Sequence, residues 1–228
     1  MTEERGQAAC TPSARPEWRS GSLAVSIEGI DGSGKSTLVK AVEPLLRAGG
    51  IDVLVLQEFA SPIGPGLESC LANMPPYGRA YAFAAEQQWL LQVAIEASAQ
   101  VILWDRYVDS AWACRATDVS QGRAGQDLLE MVDLLNQRLP LPHLTFRLRV
   151  PIAIAAARAR DRQRRLNLEL VYDELPLKWQ DEHFDTRVLA DPARFVQIDG
   201  RGDPGGLARQ VVTELIRRLP DGSSSPAA

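Results

Sequence analysis

The 228 residues allow one sizeable core but hardly two, and their hydrophobic (45%) and charged (24%) fractions are those of an ordinary globular chain. A net charge of −4 and a sequence pI of about 5.3 argue against a broad electrostatic hold on nucleic acid. No apolar run approaches the roughly 20 residues of a membrane span, and the opening MTEERGQAACTPSARPEWRSGS lacks the apolar stretch of a secretory signal, so a cytoplasmic protein without a membrane partner is expected.

Residues 1–21 are polar, contain Pro12 and Pro16, and read as an arm without fixed structure. Leu23–Glu28 is a short apolar run ending at glycine, the pattern of a buried strand. Directly after it, Gly29-Ile30-Asp31-Gly32-Ser33-Gly34-Lys35-Ser36-Thr37 matches G-x-x-x-x-G-K-[ST]. Its glycines permit the positive φ values that turn successive N–H groups toward phosphate oxygens. The loop runs into a predicted helix, Ser36–Ala48, whose N-terminus adds partial positive charge where a β-phosphate would sit. Lys35 supplies a cation for the β- and γ-phosphates and the Ser36 hydroxyl a magnesium ligand, so ATP and Mg2+ are the expected cofactors.

Pro44 is expected to kink or shorten that helix, and Gly49-Gly50 to stop it. Asp52–Gln57 is a second strand. A Pro/Gly-rich stretch follows, with Pro62, Gly64, Pro65, Gly66 and then Pro75-Pro76, and receives no element. Residues 79–99 form an Ala-, Gln- and Leu-rich helix, and Val101–Trp104 a third strand that ends in Asp105. This apolar strand with a terminal carboxylate is the Walker-B pattern, in which the aspartate faces the phosphate site and holds magnesium. No element is assigned between 106 and 125. Residues 126–139 are helical, Leu144–Val150 is a fourth strand, Ile152–Leu166 a helix, and much of 177–190 another. Phe195–Ile198 is a fifth strand, Leu207–Leu219 a closing helix, and 220–228 a frayed tail. Strands separated by helices imply parallel pairing with right-handed crossovers. The expected fold is therefore one doubly wound α/β domain over residues 22–219, with a five-stranded parallel sheet flanked by helices.

The three cysteines, Cys10, Cys70 and Cys114, show no C-x-x-C spacing, and His143 and His183 have no partner at ligand spacing, so neither a zinc site nor a disulfide framework is indicated. Arginines crowd positions 158, 160, 162, 164 and 165. Arg158, Arg162 and Arg165 share a helix face. Three readings stand for them: a solvated basic surface, an RNA-binding patch that no interleaved aromatics support, or a closing lid that neutralises a transferring phosphoryl group.

Several of these segments together resemble the thymidylate kinases. Ser26–Thr37 is similar to that family's first strand and phosphate loop, including the internal Asp31. Asp105-Arg106-Tyr107-Val108-Asp109-Ser110 is similar to its D-R-Y-x-x-S segment, and Leu139-Pro140-Leu141-Pro142-His143-Leu144-Thr145 to its P-x-L-T entry to the fourth strand. Phe83 lies where the family carries a phenylalanine that stacks on thymine. The resemblance covers residues 23–219. It implies a homodimeric P-loop kinase that phosphorylates a nucleoside monophosphate, first of all dTMP to dTDP, with ATP and magnesium. By the same resemblance Asp31 and Asp105 organise magnesium and acceptor phosphate, and Arg106 grips that phosphate. Glu58, Phe83 and Ser110 line the acceptor side. Some members carry an arginine in the phosphate loop. This chain has Gly32 and Ser33 there, which shifts the cationic role to Arg158, Arg162 and Arg164 in a lid at about 158–170.

The departures lie on the acceptor side. The family's R-E-P-G-G-T is Gln57-Glu58-Phe59-Ala60-Ser61 here, and its D-R on the long helix, whose arginine reads the base, is Glu86-Gln87. Its A-Y-Q is Ala113-Cys114-Arg115, and the L-D-V of its fourth strand is Leu148-Arg149-Val150. Gln87 and Arg115 look exchanged, so that Arg115 supplies the guanidinium from the other wall; the alternative is that Arg115 points to solvent. Two further functional readings stay open. One is a thymidylate-kinase-like phosphotransferase for a modified nucleotide or a nucleoside, and the other a non-catalytic nucleotide-binding protein.

Overall fold

Every residue of the first strand, β1 (Leu23–Glu28), is buried, because it lies at the centre of the sheet. The computed structural model describes residues 15–19, 21–166 and 174–219. Helix α1 (Lys35–Ala48) follows β1, then β2 (Val53–Gln57), α2 (Gly64–Cys70) and α3 (Pro76–Glu96). After β3 (Val101–Asp105) come α4 (Val108–Ser120), α5 (Asp127–Asn136), β4 (Leu144–Arg149), α6 (Ile152–Leu166), α7 (Glu174–Ala190), β5 (Phe195–Asp199) and α8 (Pro204–Ile216). The five strands pair in parallel in the order β2-β3-β1-β4-β5, as the alternation of strands and helices requires.

Side-chain alternation on β3 shows how the two faces are covered. Val101 and Leu103 join the core made with Leu38, Val39, Val42 and Leu46 of α1 and Ala208, Val211 and Leu215 of α8. Ile102 and Trp104 point the other way, to Leu90, Leu91 and Ala94 of α3. At about 1.5–3 kcal/mol for each fully buried aliphatic side chain, the α1 quartet alone fastens the helix that the phosphate loop enters. Pro44 neither kinks α1 to a stop nor shortens it, since the helix reaches Ala48. Both Pro44 and Lys40 are exposed, so the carbonyl freed by the missing N–H can be hydrated.

Two segments left unassigned by pattern are helices, α2 and α4. The arm is not free along its described part. The Trp18 indole donates to the Leu141 carbonyl at 2.5 Å and lies 6.4 and 6.2 Å from the rings of Trp104 and Tyr107, while Arg15 Nη1 donates to the Leu139 carbonyl at 3.1 Å. Residues 1–14 and 20 of the expected arm and 220–228 of the expected tail lie outside the described residues, as do 167–170 of the expected lid. No helix of the described residues is long and apolar enough to cross a membrane.

Candidate active site

Parallel strands bring their C-terminal ends to one rim, and the motif residues gather there. Asp105 at the end of β3 is in register with Ile27 of β1 on one side and Gln57 of β2 on the other. The carboxylate therefore stands between the phosphate loop and the loop carrying Glu58. Such a rim is where open α/β sheets bind ligands.

The phosphate loop is held from below by the fourth strand and α6. Gly32 has φ +78°, and a Cβ there would come 2.0 Å from the Ala155 carbonyl oxygen, so no other residue fits. Gly29 passes similarly close to the Leu148 carbonyl, and Gly34 caps α1 in the left-handed region. Lys35 is buried, and its Nζ donates to the carbonyls of Gly29 at 2.7 Å and Ile30 at 2.8 Å. Burial, with help from Arg106, lowers its pKa to about 8 against the pull of Asp31 and Asp105. Ser36 and Thr37 are exposed on the first turn of α1, while Ser33 is buried with its hydroxyl unpartnered among the described residues.

Arg106 adopts φ +73°, a conformation non-glycine residues seldom take. Its backbone N–H donates to the Ile27 carbonyl at 3.2 Å, which fixes this turn against β1. Its guanidinium donates to Asp31 and lies 3.5 Å from Glu58. Burial alone would lower the Arg106 pKa, but Asp31 and Glu58 raise it well above its usual value. Burial raises Glu58 to about 6 although Arg106 opposes it.

Ser110, expected on the acceptor side, is engaged inside the fold. It is buried and donates to Glu28, whose other oxygen accepts from the Tyr107 N–H at 2.7 Å. Ser110 and Glu28 thus lock the start of α4 behind Asp105 and Arg106. Burial and the nearby Asp109 raise Glu28 to about 7 despite those two hydrogen bonds.

A cavity opens between α3, α4 and α5, lined by Phe83, Gln87, Arg115 and Asn136 with Ala80, Ala84 and Leu135. Arg115 is not at the surface. It is 6% exposed, with its guanidinium carbon 5.6 Å from the Phe83 ring centroid. Phe59, which pattern did not single out, lies with its ring 5.3 Å from that of Phe83 and with φ +62°. The strained loop is closed by Gly64, where a Cβ would meet the Phe59 carbonyl oxygen at 2.1 Å, and by buried Glu86, which accepts from the Ser61 N–H at 2.9 Å. Glu86 is therefore occupied with the loop, and Gln87 alone of the pair faces the cavity. A continuous row of contacts runs Asp31–Arg106–Glu58, then Phe59–Phe83–Arg115, from the phosphate loop into the cavity.

Arg158 is exposed beside the phosphate loop, with Nη1 donating to the Ser33 carbonyl at 3.3 Å. Arg162 and Arg164 fall on α6, but their side chains lie outside what is described. Magnesium fits the residues present: one Asp105 oxygen is buried without a hydrogen-bond partner among the described residues, as a metal or metal-bound water would require, and the Ser36 hydroxyl is open at the adjoining loop.

Comparison with known proteins agrees with this geometry. Residues 27–194 match the family model for thymidylate kinase. The chain is 28% identical over 222 residues to the thymidylate kinase of Prosthecochloris aestuarii, covering 85% of this chain and 93% of that protein. It is 27% identical over 220 residues to that of Chlorobium limicola (87% and 96%) and 28% over 221 residues to that of Chlorobaculum tepidum (85% and 96%). With the phosphate loop, the Asp105-Arg106 turn and the aromatic cavity inside the matched span, the chain belongs to the thymidylate kinase family.

Proposed function

We infer that this protein transfers the γ-phosphoryl group of ATP to dTMP, giving dTDP and ADP. The observation that carries this reading is the unbroken row from Asp31 through Arg106 and Glu58 to Phe59, Phe83 and Arg115, which joins a phosphate cradle to a cavity lined by an aromatic ring and amide and guanidinium groups. In it the loop amides and Lys35 bind the donor phosphates, Arg106 takes the acceptor phosphate, and Arg158 approaches from α6. The donor and acceptor oxygens are thereby brought into line, and positioning with electrostatic stabilisation does most of the work. Ser36 and Asp105 would hold magnesium, which would supply neutralisation of phosphate charge there. Phe83 offers a ring face to the base, and Arg115 supplies the guanidinium that Gln87 has given up.

ADP release measured over deoxy- and ribonucleoside monophosphates and nucleosides tests the assignment. dTMP is expected to give the highest kcat/KM. Another acceptor clearly above dTMP would replace it, and acceptor-independent turnover would reject the kinase. The reading includes a cytoplasmic homodimer. Exposed Tyr81, Trp89 and Val93 lie along one side of α3, a stripe suited to a second copy. Trp89→Glu should convert a dimer to a monomer in light scattering.

A further inference from the structure

Behind the acceptor cavity, one carboxylate serves three arginines. Asp118, on the last turn of α4, is 2% exposed. Its Oδ1 accepts from Nη2 of Arg79 on α3 at 3.2 Å and lies 3.2 Å from Nη2 of Arg123, and its Oδ2 lies 3.2 Å from Nε of Arg115. The Arg115 contact is one of charge and not an aligned hydrogen bond. Arg115 Nε and Nη1 and Asp118 Oδ2 have no hydrogen-bond partner among the described residues.

A buried guanidinium with two unpartnered nitrogens costs stability unless something takes their N–H groups. The cavity is the available direction, because Arg115 lines it beside Phe83, Gln87 and Asn136. A carboxylate facing Arg115 alone could close a two-pronged pair and consume those donors. Drawn also by Arg79 and Arg123, Asp118 restrains Arg115 without saturating it.

We propose that Asp118 is the positioning residue for base selection: it holds Arg115 against Phe83 and leaves the guanidinium donors for a base edge that presents carbonyl oxygen. The proposal rests on the reading that Arg115 faces the acceptor base. A guanidinium has donors only. The O4 of thymine meets it favourably, whereas the amino group that cytosine carries at that place brings donor against donor. Preference for dTMP over dCMP therefore depends on Asp118 through Arg115.

Steady-state kinetics with dTMP and dCMP on Asp118→Asn, Arg115→Ala and the double variant test this. Asp118→Asn should raise KM for dTMP about tenfold, the size of one lost hydrogen bond to a charged group, with kcat and KM for ATP little changed. The dTMP-over-dCMP preference should fall, Asp118→Glu should recover part of it, and in the Arg115→Ala background Asp118→Asn should add nothing. Additive losses in the double variant overturn the proposal. So does a loss of preference in Arg115→Ala that Asp118→Asn does not share. If Arg115→Ala itself leaves the preference intact, the reading of the cavity fails and the proposal goes with it. Should Asp118→Asn not fold, Asp118→Asn with Arg79→Met keeps the cluster's net charge and must show the same rise in KM, or the proposal is rejected.

Discussion

Because the Lys35 ammonium is already hydrogen-bonded to two loop carbonyls, ATP binding exchanges neutral acceptors for phosphate oxygens and never has to extract an unpartnered charge from the core. Other side chains at the rim that could replace it are aimed elsewhere: Arg106 at Asp31 and Glu58, Arg158 from the α6 side. Lys35→Ala should thus lower kcat by about 10²-fold or more in the ADP-release assay, the usual cost of removing preorganised charge. Arg158→Ala should lower kcat more than it raises KM for ATP, since its guanidinium gains most where charge gathers in the transition state. That Lys35, Asp105 and Arg106 gather at one rim was legible because each lies in a contiguous motif whose geometry is local. Phe59 and Asp118 were not, for each takes its role from residues on another element, Phe83 for one and Arg79 for the other.

At the level of elements, α4 explains both what pattern recognition found and what it missed. Its sequence, VDSAWACRATDVS, has no apolar stripe, because α3, α5 and α7 pack against it and polar residues are buried with arginine partners. Asp109 is the example: fully buried, it accepts from Arg187 Nε of α7 at 3.0 Å and from Arg194 Nη1 at 2.6 Å. Removing one member of such a set leaves buried charge uncompensated. Asp109→Asn should cost about 3–5 kcal/mol in urea unfolding. The strands, by contrast, were legible within a residue or two, since continuous apolar runs between glycines and prolines have few other uses. The fourth strand hid one surprise. Arg147 lies wholly buried, paired with Asp181 and Asp185 of α7, and an arginine within a strand gives no hint of acidic partners on a later helix.

For the molecule as a whole, acidic groups at the sheet rim link stability to pH. Glu28 and Glu58 titrate near 7 and near 6 in the folded protein against 4.5 as their reference. A raised carboxyl contributes stability that is complete below its unfolded value and is lost as pH rises through the folded one. The stability difference between wild type and Glu28→Gln should therefore shrink, in favour of the variant, as pH goes from about 5 to 8. His143 and His183, whose lowered values act in the opposite sense, cancel in that comparison. Unfolding curves of both proteins across this range check the sign; parallel pH profiles would contradict it.

The sheet order also sets a timetable for synthesis. The first strand made is the central one, and its neighbours β3 and β4 are translated much later. The phosphate loop leans on the Leu148 and Ala155 carbonyls, and Arg158 bonds to Ser33 across 125 positions of sequence. At about 5–20 residues per second, the nucleotide cradle waits roughly 6–25 s on the ribosome before its floor exists. Nascent chains arrested before β4 has emerged should fail to retain ATP, and those arrested after α6 should hold it.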